Sequence, residues 1–279
     1  MKSSSSLSSS RLLKVKRAKG KKKRGKGPRP ELRNGILIRP CHGISEFAAC
    51  VRVERKVWKS ADLDVVPVSL FVVAAETGGQ VIGAFHGRYL VGFTLAFAGW
   101  RDRKPFLHSH MTAVLGAYRD RGIGRRLKSF QREDALSRGI GLVEWTFDPL
   151  ITKNAYFNFM RLGATARRYH PDLYGITTSP LHAGLPTDRL IAEWQLRSPR
   201  ARRVLAGKRA TPAFSKKAKR ITIPAAIEDL RKNDLAAAMR VQAQTRAEFL
   251  KWFGNGYAAT AVAPGKAGVD YILEPWKAL

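Results

Sequence analysis

The stretch Val114-Leu115-Gly116-Ala117-Tyr118-Arg119-Asp120-Arg121-Gly122-Ile123-Gly124-Arg125-Arg126-Leu127 reads as a strand, a glycine-bearing turn and the start of a helix. The first N–H groups of a helix lack intrahelical partners and point outward. Together with the helix dipole they form a site suited to phosphate. Gly122 and Gly124 let an anion approach the backbone closely, and Arg119, Arg121, Arg125 and Arg126 add positive charge. The turn therefore reads as a pyrophosphate cradle. Gly122-Ile123-Gly124 also begins a dinucleotide fingerprint, with Glu144 about 20 residues further on. Against that reading, Leu127 stands where the third glycine belongs, and hairpins precede the unit where a first βαβ is required.

Upstream, Ile36-Leu37-Ile38 reads as a strand, and Ile44–Trp58 and Val66–Thr77 as helices. Gly78-Gly79, Gly87-Arg88 and Arg101–Pro105 then punctuate three strands, Gln80–His86, Tyr89–Gly99 and Phe106–Leu115. Such short spacers imply antiparallel hairpins. Downstream, Gly122–Arg138 is a helix, Leu142–Phe147 a strand, Thr152–Leu162 a helix, and Ala164–Tyr169 and Arg189–Leu196 strands. Hairpins feeding β-α-β-α-β make a mixed α/β sheet flanked by helices.

A second motif follows at Asn154-Ala155-Tyr156-Phe157-Asn158-Phe159-Met160-Arg161-Leu162-Gly163-Ala164. With Arg119, Gly122 and Gly124 in the pattern Gln/Arg-x-x-Gly-x-Gly/Ala, the chain resembles the GNAT superfamily of acyltransferases over about Gly35–Leu196. Ile176–Trp194 looks like a poorly characterised branch of predicted acyltransferases. The resemblance implies acetyl-CoA or another acyl-CoA as co-substrate and an amine of unknown identity as acceptor. It implies that backbone groups of Ala113, Val114 and Leu115 pair with the pantetheine in a gap between the strands 106–115 and 142–147. It implies that the turn Arg119, Asp120, Arg121, Gly122, Ile123 and Gly124 takes the pyrophosphate, and that Asn154 and Asn158 point at the CoA arm. The sequence departs from the family at Phe159, where many members carry a tyrosine that protonates the departing thiolate.

Amines with a pKa of about 10.4 are protonated at neutral pH, so a general base is expected. Strand periodicity would share one face among His108, His110, Thr112 and Val114, and another among Glu144, Thr146 and Asp148. His110 and Glu144 are the candidate bases. The histidines form no metal-ligand spacing, so no metal is expected.

The flanks differ from this core. Of 51 Lys and Arg against 21 Asp and Glu, residues 1–33 hold 13 basic residues and one acid, Glu31. This serine-rich and basic segment is expected to be disordered, with weak contact to nucleic acid. Domain boundaries are expected at 34–196 for the acyltransferase core, 197–220 for a basic linker and 221–279 for a small helix-and-hairpin module. Cys41 and Cys50 read as small buried residues of a reducing compartment. No apolar run is long enough to span a bilayer and no secretory signal is evident, so a cytoplasmic location is expected. The chain thus reads as an acyl-CoA-dependent acyltransferase. Two alternatives are a non-catalytic acyl-CoA binder and a nucleic-acid-binding protein on the same scaffold.

Overall fold

The computed structural model describes residues 27–59, 65–175, 184–208 and 214–276. The N-terminal part comprises β1 (Glu31–Arg33), β2 (Ile36–Pro40), α1 (Gly43–Trp58), α2 (Val68–Glu76), β3 (Gln80–His86), β4 (Tyr89–Arg101) and β5 (Lys104–Val114). The central part follows with α3 (Ile123–Ser137), β6 (Leu142–Phe147), α4 (Thr152–Tyr156), β7 (Thr165–His170) and β8 (Arg189–Gln195). The chain closes with α5 (Pro199–Leu205), β9 (Lys219–Pro224), α6 (Ile227–Asn233), α7 (Leu235–Gly254), β10 (Tyr257–Pro264) and β11 (Gly268–Pro275). One eleven-stranded mixed sheet runs β1-β2-β3-β4-β5-β6-β8-β7-β10-β11-β9. Every pairing is antiparallel except β5 with β6. This is the mixed α/β architecture, a sheet flanked by helices, that the order of elements implied.

Helices cover both faces of the sheet. On one, Phe47, Cys50 and Val53 of α1 and Phe71 and Ala74 of α2 bury against Val81, Phe93, Leu95 and Ala113. On the other, Ile123, Leu127 and Phe130 of α3 bury against Ile38, Ile82, Ala84 and Val91. Cys41 and Cys50 are free thiols, both buried, with sulfurs 4.0 Å apart. Among the described residues no helix is long and apolar enough to cross a membrane.

Three features differ from the sequence reading. Residues 31–33, read as part of a disordered tail, form β1, and the Arg126 guanidinium fastens them through Glu31 and the Arg33 carbonyl. Residues 1–26 lie outside the described residues. The stretch 197–220, read as linker, contains α5, which is capped by Ser198 and buries Ala201 and Val204; residues 209–213 of that stretch are not described. The C-terminal strands extend the main sheet, and Phe249 of α7 packs between Tyr169 of β7 and Tyr271 of β11. An apolar helix face and an open strand edge find each other because each buries surface that water would otherwise cover.

Candidate active site

Strand β5 carries the feature that organises the site. Leu95 of β4 pairs with Met111, but Ala96 pairs with Ser109, which leaves His110 as the extra residue of a β-bulge. A bulge flips the alternation of side chains along its strand. His108 and His110 therefore share the α1/α2 face, where His110 meets the Phe97 ring and His108. Thr112 bonds Thr94 on the α3 face, and Val114 packs there too. The single face expected for His108, His110, Thr112 and Val114 is thus divided.

Beyond the bulge the sheet opens. Strands β5 and β6 are paired at Leu107↔Val143 and His108↔Glu144 and no further. Ser109 and residues 111–114 keep β4 as their ladder partner, so the opposite backbone edge of this stretch faces a gap. Not all of that edge is free, because the Val114 carbonyl accepts from Arg119 Nε.

At the open end of the gap stands the glycine turn. Gly122 caps α3 with φ +75°, and a Cβ built on it would meet nothing within 4 Å. The first helical bond runs from Arg126 N–H to the Gly122 carbonyl, so the preceding amides point out of the helix end. Above them lies a recess of about 570 Å³ lined by Arg33, Arg121, Arg125, Arg126, Arg161, His86 and Tyr118, among others. Arg121 stacks on the Tyr118 ring, whose hydroxyl shares a hydrogen bond with His86. The expected cationic residues divide here. Arg121 faces the recess, while Arg125 bonds the carbonyls of Val204 and Leu205 and Arg126 holds Glu31 and Ile36. Arg119 turns back to Val114, and Asp120 is exposed at φ +60°. Ile123 is buried in the core.

The second motif is helical and then widens into a π-type turn at Phe157–Leu162. Gly163 ends it at φ +78°, and a Cβ there would press on Ala201 of α5 at 3.1 Å. Asn154 is exposed. Asn158, expected to point at the CoA arm, is buried with its Oδ1 accepting from Trp145 Nε1, and its Nδ2 has no partner among the described groups. Phe159 is enclosed by the rings of Phe147 and Tyr271.

The two candidate bases occupy different surroundings. Glu144 is buried, and its Oε1 accepts from Arg101 and from Arg168 Nη2, the latter at 2.5 Å. It stands opposite Glu193, which binds Arg167 and Arg168. Its charge is thus committed to an ion-pair network. His110 reaches solvent at the bulge, and its pKa is held below the ordinary 6.5 by partial desolvation and by His108.

Sequence reasoning missed Arg33, His86, Arg161 and Lys128. Arg161 was visible inside the second motif. Lys128 is a charge set among the buried positions Ile123, Leu127, Gln131 and Ala135 of α3.

Solved structures similar to this chain include acetyltransferases, among them some of the GNAT family. A ribosomal-protein-S18-alanine N-acetyltransferase from Escherichia coli is 13% identical, with a TM-score of 0.46 over 58% of this chain and 95% of that one. The protein yncA from Salmonella typhimurium, solved with its cofactor acetyl-CoA, is 17% identical, with a TM-score of 0.47 over 59% and 96%. An acetyltransferase of the GNAT family from Streptococcus pneumoniae is 15% identical, with a TM-score of 0.45 over 57% and 97%. No family model matches the chain, and no curated protein matches it.

Proposed function

We propose that this protein transfers an acyl group from acyl-CoA to an amine. The observation that carries the reading is the arginine-lined recess above the Gly122 turn, a turn that follows the strand, β5, which parts from β6. A pyrophosphate carries the charge that the recess complements, and the outward amides of α3 supply directed donors. The exposed backbone edge of residues 109–113 suits an amide-bearing pantetheine arm, which pairs with it as a strand would. On the α1/α2 face, a neutral His110 takes the proton of the attacking amine. Backbone N–H groups near the bulge stabilise the negative charge that develops on the thioester oxygen. Arg101, Arg168 and Glu144 form the wall beside His108 rather than the base.

The test is Gly122→Asp. A Cβ at this position meets nothing within 4 Å, and the strain of an aspartate at φ +75°, about 1–2 kcal/mol, is local, so the fold is retained while an anion occupies the phosphate position. The affinity for CoA should fall at least tenfold, about 1.4 kcal/mol. Calorimetry on a variant with an unchanged circular dichroism spectrum measures this. Unaltered affinity would remove the recess from the donor site.

A further inference from the structure

The ammonium of Lys128 is 4% exposed and lies at the point where the sheet divides. Its Nζ donates to Ser109 Oγ at 2.6 Å and to Gln131 Oε1 at 3.0 Å, and it stands 4.2 Å from the centre of the Trp145 ring. Ser109 is the first residue of β5 beyond the last rung shared with β6, and Trp145 is the first of β6. The lysine therefore spans the throat of the gap from the α3 side. Among the described residues no carboxylate pairs with it. An uncompensated buried charge is costly. An apolar residue would complete the stripe of α3 without that cost, so the charge calls for an explanation other than packing.

We propose that the Ser109 hydroxyl, resupplied by the Lys128 ammonium behind it, delivers the proton that the departing CoA sulfur requires. The proposal rests on the acyl-CoA reading above. As the amine nitrogen forms its bond to the thioester carbon, the C–S bond breaks and its electron pair stays on sulfur. Sulfur takes the Ser109 proton, and the Ser109 oxygen takes one from Lys128, which becomes a neutral amine. The proton lost by the acceptor leaves through His110 to solvent, and Lys128 regains one from solvent after product release. Nothing is oxidised or reduced. Ser109 is the group that touches sulfur; Lys128 is a positioning residue that acts through it.

Desolvation lowers the pKa of Lys128 from 10.5 to about 7, so both of its forms are accessible at neutral pH. The titratable groups around it are few. His108 of β5 interacts with it through space. Asp134 of its own helix is bonded to Gln80 and Arg138. Glu144 of β6 points to the other face, beside Trp145 in the alternation of the strand.

The experiment uses the full-length protein and CoA itself as the probe. Calorimetry reports binding, and the ultraviolet absorbance of the thiolate reports ionisation of the bound thiol. A hydroxyl backed by an ammonium favours the thiolate. In the wild type, thiolate absorbance should therefore appear at least one pH unit lower than in Lys128→Met, a tenfold difference in acidity. Ser109→Ala should shift it upward as well. If Lys128→Met binds CoA and the bound thiol ionises as in the wild type, the proposal is overturned while the acyl-CoA reading stands. If Lys128→Met does not fold, Ser109→Ala decides, and an unshifted titration in that variant also overturns it. A wild-type protein that binds no CoA ends both.

Discussion

Lys128→Met is expected to stabilise the protein at neutral and acid pH and to lose most of that advantage as the pH approaches 10. The folded state holds this lysine at a pKa of about 7, against 10.5 for a free side chain. Between those values the unfolded chain binds a proton that the folded chain does not. Stability therefore rises with pH across the window and is at its lowest below about 7, where both states carry the charge. At about 1.4 kcal/mol per unit, the lowered value corresponds to at most about 5 kcal/mol. Methionine removes that cost but leaves Ser109 and Gln131 without their donor, a loss of about 1–3 kcal/mol. A net gain of about 2–4 kcal/mol is expected at pH 6. Urea denaturation of both proteins at pH 6 and at pH 9.5 measures it. A difference that stayed constant between the two pH values would show that the lysine is not held in a charge-disfavouring site. A stabilising variant that loses its reaction is the pattern of a residue kept for function at a cost in stability.

His110→Ala is expected to lower turnover by about 10²–10³, the range of a general base. The wild-type rate at saturating acyl-CoA should rise with pH through an inflection below 6.5, because desolvation and His108 both disfavour the imidazolium. Thiol release in the presence of an amine library, followed from pH 5 to 8, reads both quantities. Glu144→Gln is the control. It leaves Arg101 without its carboxylate and Arg168 with Glu193 alone, and should lower stability without moving the inflection. If instead His110→Ala keeps the wild-type profile and Glu144→Gln abolishes it, the base is the carboxylate after all.

The hairpins and the β-α-β-α-β order were legible because their signals are local: glycine pairs at the turns, apolar alternation along strands and helical spacing between them. The glycine turn was legible for the same reason, since an outward helix end and a residue able to adopt φ +75° are both written in a few positions. The bulge at His110 was not, because it follows from the register against β4 and no residue within β5 marks it. That one extra residue reassigned two histidines to the opposite face from Thr112 and Val114. The roles of the arginines were also hidden. A guanidinium on a long stem reaches carbonyls far away in sequence, as Arg125 reaches Leu205, and nothing near it in the chain announces that partner. Lys128 stood in plain view as a charge within a buried stripe, but its meaning depends on Ser109 and Trp145, which only the fold brings to it.

The single rung between β7 and β10, Ala259↔Ala166, means that the long sheet is two ladders meeting at one step. Strands β9, β10 and β11 form a continuous ladder of their own, and the rings of Tyr169, Phe249 and Tyr271 supply the adhesion across the seam. Cooperative opening follows contiguous bonding. The three C-terminal strands should therefore exchange their amide hydrogens as one unit, on a clock separate from that of β2–β8, and thinning the aromatic adhesive should speed that clock alone.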